Sequence, residues 1–142
     1  TVGETEETSV AELLALPSVQ AAQATVRVLD YATPSHTGLV YPTRKYYPTW
    51  ETDLNDQAVQ LARSAFQTAF GEEAETGFWT FSTNGVATAG IHGIPTIGFG
   101  PGHENFAHAP NEQTEVEHLV RSSAFYAALV YQFARTPENP IS

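Results

Sequence analysis

Short runs of helical and strand periodicity alternate along the second half of this chain, and that alternation limits the fold more than any other feature. From Asn55 to Phe70, apolar side chains fall at Ala58, Leu61, Ala62, Ala65, Phe66 and Ala69, one face of a helix, with Gly71 placed to cap its C-terminus. Gly77–Ser82 (GFWTFS) and Ile94–Phe99 (IPTIGF) read as buried strands. Between them Thr83–Gly90 (TNGVATAG) is a turn leading into a short small-residue helix. The spacing after Thr114 predicts a long helix. Thr114 and Glu117 form its capping box, and Val116, Leu119, Val120, Ser123, Ala127, Val130, Tyr131 and Ala134 share one face. Pro137 and Pro140 close the chain.

The first fifty residues are sparser. Ser9 and Glu12 match a capping box opening a short helix with Val10, Leu13 and Leu14 on one face, which Pro17 ends or kinks. Ala24–Asp30 alternates and is β-branched, as a strand would be. Residues 32–50 form a long connection rich in proline and in aromatics (Tyr41, Tyr46, Tyr47, Trp50), of the kind that covers a cleft. The order of elements is that of an α/β protein, in two pieces joined near residues 48–54.

With 16 acidic and 6 basic side chains among 142 residues, the formal charge is −10. Such a chain repels phosphate backbones and anionic lipid heads, so neither nucleic acid nor a membrane is an expected partner. No apolar run approaches a membrane span, and the N-terminus lacks the basic and apolar blocks of a signal peptide. With no cysteine, thiolate metal sites are excluded and His, Asp and Glu remain as ligands; a cytoplasmic setting fits. The chain also lacks methionine, which we read as a sign that residue 1 is not where the gene product begins. The competing reading makes Thr1 an N-terminal nucleophile.

Chemistry concentrates in residues 100–112, GPGHENFAHAPNE, a rigid loop after an expected strand. It holds His103, Glu104, His108 and Glu112. An imidazole on a rigid loop suits a borderline metal such as zinc. His103 and Glu104 read more simply as polar loop groups, Glu112 as a partner for backbone donors, and His118 as a surface position; His36 and His92 are isolated. On local pattern alone His108 is either a ligand or one more loop residue. Thr83, Asn84 and Gly85 place backbone amides where an anionic group could bind, or are an ordinary helix start. Arg44 and Lys45, among tyrosines, could meet a substrate carboxylate or sit in surface ion pairs.

Residues 81–130 resemble the closing segment of M20 metallopeptidases, a family that includes acetylornithine deacetylase, succinyl-diaminopimelate desuccinylase, aminoacylases and carboxypeptidases. The TNG turn, the GIP strand, GPG and AHAPNE occur in the family's order. TVGETEE, PSHTGLVYPT and YYPTW extend the resemblance across residues 1–50. The resemblance implies the C-terminal part of a two-domain zinc-hydrolase architecture. Residues 1–50 would end the lid, or dimerisation, domain, and residues 51–142 would form the C-terminal part of the catalytic domain. It also implies two divalent metals, zinc or alternatively cobalt or manganese, with His108 matching the last metal ligand and Thr83, Asn84 and Gly85 lining the substrate pocket. Arg44 joins them as a candidate contact for substrate. The implied substrate is an acylated amino acid or small peptide, and the implied assembly a homodimer. The family's other ligands and its general base match nothing here and are expected upstream of Thr1. The expected catalytic residues of this chain are therefore none, its partner is the missing N-terminal half, and alone it should be inactive. A non-catalytic lid or dimerisation module is the alternative.

Overall fold

The first helix begins earlier than Ser9 suggests. In the computed structural model, which describes residues 2–136, α1 spans Glu6–Ala15 and Thr5 is its cap. The Thr5 hydroxyl accepts from the Thr8 amide at 3.2 Å, and the Thr5 amide donates to Thr8 Oγ1 at 2.8 Å. Thr5 closes this reciprocal pair one turn before Ser9, and Glu6 and Glu7 then face the positive end of the helix. Pro17 holds Leu16 extended (φ −65°, ψ 129°), which ends α1 and starts α2, Pro17–Ala21, with proline at its first position. Val10 is only half-buried, and Leu13 and Leu14 are exposed.

The expected strands largely lack partners. Of Ala24–Asp30 only the end pairs: β1 (Asp30–Tyr31) runs antiparallel to β2 (Thr43–Arg44), with Asp30 opposite Arg44 and Tyr31 opposite Thr43. The Lys45 amide extends the pairing to the Leu29 carbonyl at 2.8 Å. Alternation predicts an extended backbone, but a ladder also needs a neighbouring strand, and among the described residues this is the only one. Gly77–Ser82 and Ile94–Phe99 likewise form no ladder. In the second of these the Thr52 hydroxyl substitutes for one: it donates to the Thr96 carbonyl at 2.7 Å and accepts from the Thr96 amide at 3.4 Å. The result is a mostly helical α/β chain with a two-stranded sheet.

The contacts divide the chain into two units. One holds the residues up to Glu51 together with Ser82–Ile94; the other holds Thr52–Phe81 and the chain from Pro95 onward. In the first unit Trp50 lies over Gly85 and Pro48 over Gly90, so closely that a Cβ on Gly90 would sit 2.9 Å from the Pro48 carbonyl oxygen and one on Gly85 would overlap the indole ring. The small-residue helix predicted after the TNG turn is a wide, π-type turn over Val86–Ile91.

The second unit is built on α3 (Gln57–Phe70) and α4 (Val116–Ala134), which pack against each other. The Asp56 carboxylate caps α3 by accepting from the Ala58 amide at 2.8 Å, and Gly71 ends it in the left-handed region at φ 71°. The predicted α3 face is largely the packed one: Ala65 is fully buried and Ala58, Leu61, Ala62, Phe66 and Ala69 are half-buried, while Val59, outside the predicted set, is buried as well. On α4 the predicted face is wrong. Ser122 and Phe125 are buried, with Leu129 and Gln132 partly so, while Val116, Val120 and Val130 are 73%, 59% and 67% exposed. The helix carries two apolar stripes, and packing selects the one bearing Phe125, whose ring sits 4.1 Å from that of Phe99 and 6.5 Å from that of Phe66. Ring attraction and the larger buried area favour that choice. The start of α4 also differs: Glu115 is the cap residue, with no side-chain cap bond, so the Thr114–Glu117 box does not form.

No helix among the described residues is long and apolar enough to cross a membrane. Thr1, Pro137 and Pro140 lie outside the described residues.

Candidate functional site

In the second unit the GPG loop is wound into successive turns. Phe106 donates its amide to the His103 carbonyl at 3.0 Å, Ala107 to Glu104 at 3.0 Å, Ala109 to Phe106 at 3.2 Å and Glu112 to Ala109 at 3.2 Å. A short 3-10 turn spans Glu104–Phe106. This winding turns His108 and Asn111 into the left-handed region, at φ 59° and 60°. Histidine and asparagine enter that region more readily than most side chains do, and the sequence places both where the loop needs it.

His108 is exposed, its backbone amide donates to the Glu112 carboxylate at 3.3 Å, and its ring meets the edge of Phe81 at 5.7 Å. Neither ring nitrogen has a hydrogen-bond partner among the described residues. An open imidazole on a wound loop fits one coordination position of a zinc-type ion, and among the described residues no group of three ligating side chains includes it.

The other sequence-predicted residues lie in the first unit. The Thr83 hydroxyl accepts from the Gly85 amide at 3.1 Å, and the amides of Val86, Ala87 and Thr88 bond to the Thr83 and Asn84 carbonyls. Those amides are thus taken up within the turn. Arg44 grips Glu6 with two donors, Nε to Oε2 at 3.0 Å and Nη2 to Oε1, and its Nη1 lies 3.5 Å from the Asp30 carboxylate. Hydrogen bonding from Arg44 lowers the Glu6 carboxyl below its ordinary value, and the same bond raises the guanidinium further above its own.

His103 and His118, read from the sequence as a loop polar group and a surface position, come together in the fold. Their rings stand 5.1 Å apart, and with Glu115 they offer three ligand atoms all within 4.8 Å of one another. The Gly102 amide donates to His118 Nδ1 at 3.3 Å, which ties the loop to α4. The i, i+3 spacing of Glu115 and His118 at a helix start was a visible signal. The approach of His103, fifteen residues earlier, depends on the fold and was not.

Comparison with known proteins gives a family match over most of the chain. The family described as "Peptidase family M20/M25/M40" matches residues 10–132. An uncharacterized protein, YgeY, from Escherichia coli K12 is 49% identical over 136 residues, which is 96% of this chain and 34% of that protein. The corresponding protein of Escherichia coli O157:H7 gives the same figures. The N-formyl-4-amino-5-aminomethyl-2-methylpyrimidine deformylase of Halalkalibacterium halodurans is 31% identical over 97 residues, 68% of this chain and 22% of that enzyme. The chain thus spans about a third or less of the length of these relatives. No solved structure matches.

Proposed function

The chain belongs to peptidase family M20/M25/M40, and from that premise we propose that it forms part of a metal-dependent hydrolase of amide or peptide bonds. The substrate is an N-acyl amino acid or a small peptide. The observation that carries this reading is His108, exposed on a wound loop inside the family-matched segment. The deformylase relative, whose name describes removal of an N-formyl group, supports the amide chemistry.

Two divalent ions, zinc or alternatively cobalt or manganese, would supply Lewis-acid polarisation of the carbonyl and an acidified water. His108 would hold one of them, and the rigid turn would fix the direction of its ring. The remaining ligands and the general base come from sequence outside these 142 residues, so the chain alone is inactive. Thr83, Asn84 and Gly85 line the substrate pocket. Arg44 is a candidate for the substrate carboxylate, and taking it would mean exchanging Glu6 and Asp30 for that group. The same reading includes a homodimer, a lid made by the first fifty residues, and a cytoplasmic setting.

The test joins this chain to the N-terminal portion of its own gene product, loads zinc and compares His108→Ala with wild type. The expected result is loss of about one metal equivalent and a fall in kcat of more than about tenfold, beyond the loss of a mere orienting group. Full metal occupancy and full activity in the variant would show the ligand assignment to be wrong.

A further inference from the structure

We propose that His103, Glu115 and His118 form a binding site for a divalent transition-metal ion of the zinc class, with a ligand set separate from His108. The three come from two elements: His103 from the loop just ahead of the 3-10 turn, Glu115 from the cap position of α4, and His118 from its first turn. Their ligand atoms lie within 4.8 Å of one another. Tetrahedral zinc, with bonds near 2.1 Å, needs neighbouring ligands about 3.4 Å apart, so closure takes at most about 1.4 Å per pair. His103 and Glu115 are exposed, while His118 has 29% of its side chain exposed. Two imidazoles and one carboxylate make a borderline donor set, too nitrogen-rich for magnesium or calcium and without the thiolates that favour softer ions. The fourth position stays open to water.

The ion-free arrangement adds a second, specific consequence. His118 Nδ1 accepts the Gly102 amide at 3.3 Å, and Nε2 faces the Glu115 carboxylate at 3.9 Å. This sets the neutral ring with its proton on Nε2. An ion on Nδ1 displaces the Gly102 amide. An ion on Nε2 moves the ring proton to Nδ1, where it confronts the same amide. Either way, loading releases Gly102 from α4.

The experiment titrates the uniformly 15N-labelled chain with Zn2+ alone and follows the imidazole nitrogens and the backbone amides by NMR. Up to one equivalent, the rings of His103 and His118 and the Gly102 amide should shift together, ahead of His36 and His92. By calorimetry, His103→Asn, Glu115→Gln and His118→Asn should each weaken Zn2+ binding by more than about tenfold, the loss that follows removal of mere orienting groups at metal sites. The first two change exposed side chains and keep the test decisive if His118→Asn fails to fold. Shifts confined to His108, equal shifts of all five histidines, or unchanged affinity in His103→Asn and Glu115→Gln would overturn the proposal. A shift at His108 alone would leave the proposed function standing.

Discussion

The two units are held by different forces. In the second, α3 and α4 enclose Ala65 and Phe125, the rings of Phe66, Phe99 and Tyr126 meet that of Phe125, and Phe70 meets the edge of Phe66. In the first, no hydrophobic side chain is buried among the described residues, and its contacts include a two-stranded pairing, an ion pair in water, and indole and proline rings laid on glycines. Burial of one large aromatic ring contributes roughly 1.5–3 kcal/mol. Exposed ion pairs contribute little, because water solvates both partners well without them. The buried hydrophobic side chains of the described residues all lie in the helical second unit, so burial favours that unit more than the first.

Removing Phe125 is the strongest way to break that contrast. Phe125→Ala should destabilise the α3–α4 pair by about 3–5 kcal/mol, read as a lower urea midpoint in far-UV circular dichroism. A loss under about 1 kcal/mol would mean that the aromatic cluster does not hold these helices. Next in size is Gly85→Ala. Its methyl group would overlap the Trp50 ring, and overpacking of this kind costs about 1–3 kcal/mol. Trp50 emission, followed in a Trp79→Phe background, should shift while the helical signal stays. An unchanged spectrum would show that the indole does not rest on this turn. The smallest effect concerns Glu6. Its folded pKa lies below the ordinary value of 4.5, so the contribution of the pair is present above that value and is lost as pH falls through the lowered one. Acid titration of the Glu6 carboxyl by 13C NMR should place its midpoint below that of the same residue in Arg44→Gln. Coincident midpoints would remove the ion pair from the account of this unit.

Sequence periodicity revealed some of this and concealed the rest for identifiable reasons. α3 was legible because a single apolar face and Gly71 behind it agree, while its Asp56 cap was not read. α4 was legible as a helix but not as a packed face, since its two apolar stripes are equivalent until Phe99 and Phe66 choose between them. The strands failed as paired strands because pairing belongs to two segments and alternation describes one. The AHAPNE loop was found through its resemblance to a family, and the family match covers it. The His103–Glu115–His118 cluster was missed because no spacing rule joins a loop histidine to a helix fifteen residues on.

The left-handed backbone at His108 has a bearing on how its chemistry is to be read by mutation. Alanine pays about 1–2 kcal/mol to remain in that region, so an alanine variant removes an imidazole and also invites the loop to unwind. Asparagine tolerates the same dihedral angles and carries no imidazole. A deficit shared by His108→Ala and His108→Asn reports lost ligation, whereas a deficit confined to alanine reports a backbone that has relaxed out of shape.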